Sequence, residues 1–168
     1  MLTIVLRFAH VFFGALWVGM MTFQVFVLMP VLAEMGPDAG KVMGGMMKRR
    51  IPVIMPIIAL IAIISGMWLF QRMSGGNMGA LMATPMGQGF ALGGAIAVLA
   101  LLIGIVVMRP AMMKSMRLME GMASLPPDQR AAAQAEIQKI RDRGNVLGKV
   151  VTVMLLLTLG LMAVARYL

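Results

Sequence analysis

The only histidine of the chain begins a line of polar and bulky side chains inside a long apolar stretch. His10, Trp17, Met21 and Gln24 recur, with Gly14, at steps of four and three, so one helical face carries them all. Imidazole and thioether groups bind copper, and an imidazole is also an axial ligand for haem. We predict a cofactor site at His10, Trp17 and Gln24, with Met21 as a second copper ligand. The alternative is a packing histidine that hydrogen-bonds a backbone carbonyl or a glutamine.

Methionine is the second unusual feature, with 22 residues in a chain of 168. Met78, Met82 and Met86 follow one another at steps of four in a predicted loop. Their thioethers are soft ligands that favour Cu(I), so we predict that they take part in a copper site with His10. Methionine is also frequent elsewhere in the chain, and the alternative interpretation is flexible apolar filling.

The composition excludes several kinds of chemistry. The chain has no Cys, which removes disulfides, thiolate metal sites and iron-sulfur clusters. Its single His prevents bis-imidazole ligation of haem within one chain, and there is no nucleophile elbow, phosphate loop or carboxylate pair. We therefore expect a non-catalytic protein. The enzymatic alternative is a subunit of a haem-dependent oxidoreductase.

Membrane helices must position these residues. Hydrophobic residues make up 61% of the chain, and the mean hydropathy is +0.93. A span needs roughly 20 apolar residues, and four stretches meet or approach that length, at 8–32, 51–71, 89–108 and 146–165. Because no stretch alternates as a barrel strand does, we predict an all-α protein whose single domain, residues 1–168, is a polytopic membrane four-helix bundle.

The distribution of Lys and Arg predicts the orientation of this bundle. Twelve of the 15 cations lie at 33–50 and 109–149, and only Arg7, Arg72 and Arg166 lie on the other side. The positive-inside rule then places both termini in the periplasm or exterior. We predict that Lys48, Arg49 and Arg50 also contact lipid headgroups. No aromatic residues are interleaved with the cations, so nucleic acid is not an expected partner.

The connection at 109–145 has a helical pattern of its own. After Pro127, a heptad-like seam alternates steps of four and three through Ala133, Ile137, Ile140, Gly144, Leu147 and Val151. Before it, Met112, Met116, Met119 and Ala123 share one helical face. We predict that helices three and four extend into the cytoplasm as an antiparallel helical hairpin, with methionines packed on the seam.

Small residues mark the predicted contacts between spans. Lipid chains are as apolar as leucine, so membrane helices associate where small side chains permit close approach. We predict that these contacts involve Ala59, Ala62, Ser65 and Gly66 in span two, Gly89, Gly93, Gly94, Ala97, Ala100 and Gly104 in span three, and Gly160 and Ala163 in span four.

The first 70 residues carry a recognisable pattern. It comprises Leu6-Arg7-Phe8-x-His10-Val11-x-Phe13-Gly14-x-Leu16-Trp17-x-Gly19, then Phe26-Val27-Leu28-x-Pro30, Arg49-Arg50 and Ser65-Gly66. This pattern resembles the copper resistance protein D-like group of small bacterial membrane proteins. The resemblance implies an inner-membrane helical bundle and copper handling, and only His10 has a matching ligand position.

Two functions follow as hypotheses from these patterns. The first is an accessory or structural subunit that packs against a larger membrane complex of respiratory or photosynthetic type. In such a complex, His10 could supply one axial ligand to a haem or chlorin shared with a partner chain. The second is transport or handling of copper or another small solute. The expected partners are membrane lipids and other membrane subunits.

Overall fold

The computed structural model describes the backbone of residues 1–168 and every side chain except those of Pro37 and Ala123. Its helices are α1 Leu2–Glu34, α2 Ala39–Lys48, α3 Ile51–Met73, α4 Met78–Met82, α5 Pro85–Gly121 and α6 Pro127–Val164. By length and composition, α1, α3, α5 and α6 can each cross a membrane. The predicted all-α fold with four spans is therefore confirmed.

Three of the spanning helices are longer than their predicted apolar cores. α1 has 33 residues and α5 has 37, which correspond to about 50 and 55 Å at 1.5 Å per residue. Both lengths exceed the roughly 30 Å of a bilayer core. Hydropathy detects only the apolar part of each helix, because polar residues outside the hydrocarbon continue the same hydrogen-bonded ladder.

Local sequence signals explain where several helices begin. Thr84 precedes Pro85, and its Oγ1 accepts a hydrogen bond from the Gly87 amide at 3.0 Å, which caps α5. Asn77 caps α4 in the same way, since its Oδ1 accepts from the Ala80 amide at 3.0 Å. Arg50 separates α2 from α3 with a left-handed φ of 56°. These caps and this break fix where the chain reverses.

Two of the long helices contain a π-helical segment. These wide turns lie at Gln24–Leu28 in α1 and Ile103–Met108 in α5. Both approach α6 at Gly148, where an added Cβ would lie 3.2 Å from Val25 Cγ2 and 3.9 Å from Met108 Cε. The two π-helical turns therefore both approach α6 at Gly148, which has no side chain.

The four spanning helices form a closed ring in which α1 lies beside α3 and α6, and α5 lies beside α3 and α6. The α1/α3 and α5/α6 contacts are the most extensive. Bulky side chains of α1 and α6 meet small ones of α3 and α5 at the centre. This core consists of Trp17, Met21, Val25, Ile58, Ala59, Ala97, Ala100, Val151 and Leu155.

Small residues hold α5 against α6. An added Cβ on Gly89 would lie 2.9 Å from the Ala165 Cβ, and one on Gly93 would lie 3.2 Å from Met162 Cε. The Thr158 hydroxyl also donates to the Gly93 carbonyl at 3.3 Å. The predicted bundle contacts of span three are confirmed for Gly89 and Gly93 and are wrong for Gly94 and Gly104, where an added Cβ would meet nothing within 4 Å.

The matching prediction for span four is wrong. Gly160 and Ala163 are exposed, and an added Cβ on Gly160 would meet nothing within 4 Å. The contacts with α5 come from the helical face that carries Thr158, Met162 and Ala165. Because the exposed pair lies on another face of α6, small size alone did not identify the side that packs.

Beyond the apolar core, α5 and α6 continue side by side. Lys114 Nζ and Glu136 Oε1 form an ion pair at 2.8 Å, and an Arg141 Nη2 group lies 3.5 Å from Met119 Sδ. Ala133 and Ile137 of the predicted seam are buried, and so is Ser115 opposite them.

The methionine packing predicted for this segment is only partly correct. Met112 and Met116 are half-buried, whereas Met119 is exposed and contacts Arg141 through its sulfur. The side chain of Ala123, which was placed on the same face, lies outside the described residues. Ser115 and Met119 are four residues apart and share one side of the helix, so Met119 lies at the exposed edge of the contact with α6 and reaches Arg141 through its sulfur.

Candidate functional site around His10 and two surfaces of α1

His10 makes a single defined hydrogen bond, to the neighbouring spanning helix. Its Nδ1 lies 2.8 Å from the carbonyl oxygen of Ala62 in α3. A carbonyl oxygen only accepts hydrogen bonds, so Nδ1 carries a proton, and in a neutral imidazole Nε2 is then the nitrogen with a free lone pair. The backbone-carbonyl alternative for His10 is therefore what the structure contains, and Nε2 is the nitrogen left for any ligand.

The pocket around the imidazole is built from small residues of α3. The hydroxyl of the buried Ser65 lies 2.6 Å from the Ile61 carbonyl oxygen and 3.1 Å from that of Ala62. An added Cβ on Gly66 would lie 2.6 Å from His10 Cε1 and 2.7 Å from Nδ1. The sequence analysis did not pair these residues with His10, because hydropathy does not give the register between two helices.

Trp17 and Met21 are packing residues in the core. Each is 7% exposed, and both lie among apolar side chains of the other spanning helices. Along α1, Met21 lies 11 residues beyond His10, or about 16 Å. Two such side chains cannot ligate one ion, since ligand bonds are only about 2 Å long. The pairing of His10 with Met21 is therefore wrong, because one helical face extends over several turns.

Gln24 is further still from the imidazole. It follows His10 by 14 residues, about 21 Å along the helix. It lies in the π-helical turn, half-buried, and lines a different cleft. Gln24 and His10 therefore cannot ligate one metal ion, and their predicted grouping around a larger cofactor stays a prediction.

The loop methionines form a separate group. Met78 and Met82 are each 41% exposed on α4, and Met86 is half-buried in the first turn of α5. From Gly66, which contacts His10, α3 rises a further eight residues to the loop at Ser74, about 12 Å. Among the described residues, no group of three or more His, Cys, Asp or Glu could hold a metal ion. A copper role for these methionines stays a prediction.

The three cations before α3, Lys48, Arg49 and Arg50, differ in their position relative to a cleft. Arg49 lies at the mouth of a cleft between α1 and α2, whereas Lys48 and Arg50 are exposed and do not line it. Lys41, which the sequence analysis did not select, lies in the same mouth. The walls of the cleft also include Met20, Phe23, Gln24, Leu28, Gly45 and Ile51. This end of the bundle, with α2 and the extended parts of α5 and α6, is called the cation-rich end.

The opposite half of α1 presents a shallow surface groove, which we call the outer groove. It is lined by Thr3, Ile4, Arg7, Phe8, Val11, Phe12, Ala15 and Leu16. The rings of Phe8 and Phe12 stack with centroids 5.5 Å apart. Arg7 is exposed there and makes no ion pair or hydrogen bond with any described residue.

No protein family model matches the chain, and comparison with curated proteins and with solved structures finds no similar chain. The function must therefore be argued from three features: the His10 pocket, the cleft at Arg49 and the outer groove of α1.

Proposed function

We propose that this protein is a non-catalytic accessory subunit that packs, through the outer groove of α1, against a larger membrane complex of respiratory or photosynthetic type. We further propose that it lies in the bacterial inner membrane with both termini in the periplasm. The observation that carries the proposal is Arg7, a charged side chain without a described partner in an otherwise apolar groove on a spanning helix.

The chemistry of Arg7 favours a protein partner. A guanidinium group has five N–H donors, and none of those of Arg7 is used within the described part of the chain. Its neighbours Ile4, Phe8 and Val11 are exposed and apolar. Arg7 lies just before the apolar stretch at 8–32, where a long cationic side chain can reach lipid phosphates or a partner protein. A partner helix that offers a carboxylate or free carbonyl oxygens would complete this arrangement.

The shape of the same face is consistent with close helix contact. Ala15 and Gly19 are both exposed, four residues apart, next to the stacked phenylalanines. An added Cβ on Gly19 would meet nothing within 4 Å, so packing inside this chain does not require glycine there. Small residues at such spacing let a second helix approach closely.

Photo-crosslinking in the native membrane tests this proposal. A photoreactive amino acid replaces Phe12 in the groove, and Leu157, a lipid-exposed residue of α6, is the matched control. We expect a single protein adduct at position 12, which Arg7→Gln weakens, and only lipid adducts at position 157. Lipid adducts alone at both positions, together with a monodisperse 18.1 kDa monomer in mild detergent, would exclude the subunit role.

Copper handling is the second candidate, and the hydrogen bond that His10 Nδ1 donates to Ala62 favours it. A backbone carbonyl that accepts from Nδ1–H is the usual outer partner of a metal-binding histidine and leaves Nε2 for the metal. The resemblance of residues 1–70 to copper resistance protein D-like proteins supports the same candidate. The same nitrogen could instead bind the haem iron or chlorin magnesium of a shared cofactor.

Two measurements separate these ligands. If copper is bound at His10, His10→Ala lowers Cu(I) binding, whereas a site in the loop is lost when Met78, Met82 and Met86 are changed together to Leu. The control changes Met113 and Met119, exposed methionines at the other end of the bundle, to Leu. Unchanged Cu(I) binding in all variants would exclude copper. A visible absorption spectrum of the isolated complex detects a haem or chlorin directly.

A further inference from the structure

The cleft between α1 and α2 is used neither by the packing of the bundle nor by the proposed subunit contact. It has a volume of about 570 Å³, with Lys41 and Arg49 at its mouth. Met20, Phe23 and Ile51 form part of its apolar wall. The cleft therefore combines positive charge with a lipophilic surface.

The register of α1 and α3 places this cleft at the edge of the hydrocarbon. His10 lies beside Ala62 and Gly66, and the two helices run in opposite directions. Moving 14 residues along α1 reaches Gln24, and the same distance back along α3 reaches its start at Ile51. The apolar run of α3 begins at that residue, whereas the apolar run of α1 continues to residue 32, so the start of α3 places the mouth of the cleft near one edge of the apolar part of the bundle.

The cations at the mouth are not equivalent. Lys41 is paired with Asp38 at 2.8 Å, although both side chains are largely exposed. Arg49 has only the carbonyl oxygen of Gly45, which accepts from its Nη1 at 3.3 Å, and no described carboxylate partner. Guanidinium binds phosphate through two parallel hydrogen bonds, so Arg49 is the principal anion-binding group.

We propose that this cleft binds one anionic phospholipid, with its phosphate on Arg49 and Lys41 and its acyl chains against Phe23 and Ile51. Phe23 is 56% exposed, so the apolar wall is continuous with the lipid-facing surface of α1. A small inorganic anion would use only the mouth of the cleft, whereas a phospholipid uses both the charge and the wall. Basic pockets beside spanning helices are a known mode of anionic lipid binding.

The test is a competition between two lipids for the purified full-length protein in mild detergent. Phosphatidylglycerol and phosphatidylcholine with identical chains are added together, and the bound lipid is counted by native mass spectrometry. We expect selective retention of phosphatidylglycerol, and Arg49→Gln should reduce that preference roughly tenfold, as for the loss of a charge-assisted hydrogen bond. Gly45→Leu, which fills the cleft without changing its charge, should also reduce phosphatidylglycerol binding.

Lys48→Gln is the matched control, because it removes the same charge from α2 at a position outside the cleft. It should leave the preference within about twofold. None of the residues of α2 is buried, so these variants do not disturb the core. The proposal is overturned by an equal loss in Lys48→Gln, by equal retention of phosphatidylcholine, or by complete displacement of the lipid by inorganic phosphate. An equal loss in Lys48→Gln would indicate diffuse surface charge, and equal retention of phosphatidylcholine would indicate unspecific boundary lipid. Displacement by inorganic phosphate would indicate a simple anion site.

Discussion

The imidazole of His10 occupies the space that a β-carbon on Gly66 would fill. Such an atom would lie 2.6 Å from His10 Cε1, closer than side chains normally approach. The glycine therefore allows α1 and α3 to come close enough for Nδ1 to reach the Ala62 carbonyl oxygen at 2.8 Å. The hydrogen bond of the only histidine thus depends on a residue of another helix that carries no functional group.

Gly66→Ala is expected to destabilise the protein by about 1–3 kcal/mol, because the added methyl group must displace the ring or separate the helices. Denaturant titration of the purified protein in detergent measures this change. Gly94→Ala is the control, since a Cβ there meets nothing within 4 Å. Alanine is the better helix former, so the control should be neutral or slightly stabilising. Equal stability of the two variants would contradict the packing described here.

Gly89→Val is expected to weaken the contact between α5 and α6. Even the first added carbon would lie 2.9 Å from the Ala165 Cβ, which has no rotamer by which to move away. We expect a loss of about 2 kcal/mol or more in the free energy of unfolding. Gly160→Val, at an exposed position without neighbours, should change it by less than about 0.5 kcal/mol. A reversed order of the two variants would show that α6 is rotated relative to the helix described.

The ion pair in the extended part of α5 and α6 predicts a pH dependence. The hydrogen bond and charge of Lys114 hold the pKa of Glu136 below its ordinary value of 4.5. A lowered carboxyl pKa stabilises the folded form above pH 4.5, and this contribution is lost as the pH falls through the lower folded value. Carbon-13 NMR titration of the Glu136 carboxyl group measures the shift.

Lys114→Ala should return the pKa of Glu136 towards its ordinary value, whereas Arg117→Ala, which removes a cation from the same helix, should change it little. Both glutamate and lysine are well exposed, so added salt should weaken the shift in the unmodified protein. A pKa of Glu136 that is insensitive to Lys114 would contradict the ion pair.

Cysteine labelling tests the orientation in the membrane. The chain has no Cys, so a single introduced thiol reports on one position only. Ser74→Cys lies in the loop after α3, and Ser124→Cys lies in the turn between α5 and α6; Ser74 is half-buried and Ser124 is exposed. In spheroplasts, a membrane-impermeant maleimide should label position 74 and not position 124. After lysis it should label both. Labelling of position 124 alone in intact spheroplasts would reverse the proposed orientation.

Much of the fold could be predicted because its signals are local. Each apolar stretch must form a helix in lipid, where backbone groups have no water to bind. Thr84 before Pro85 is a local signal for the start of α5, although hydropathy placed the start of span three at residue 89 and Met86 in a loop. By contrast, the extension of α1 to Glu34 could not be read from hydropathy, because the helix continues after the apolar signal has ended.

The candidate site was harder to predict, because its parts come from different helices. Periodicity correctly placed His10, Trp17 and Met21 on one face of α1, but a shared face does not bring residues together along the axis. Gly66 and Gly160 are both glycines in spanning helices, yet the first supports an imidazole and the second meets nothing. The two glycines differ because each helix is rotated about its own axis to bring one side against its neighbours. Sequence periodicity does not give that rotation.

The sequence by itself determined the four apolar helices, the concentration of cations at one end and the presence of a single histidine. These properties depend only on residue type and spacing along one chain segment. The tertiary structure alone decided that His10 donates to Ala62, that Gln24 belongs to the Arg49 cleft and that Arg7 has no described partner. Such relationships depend on the register, rotation and crossing of helices, which side-chain packing across the whole bundle selects together.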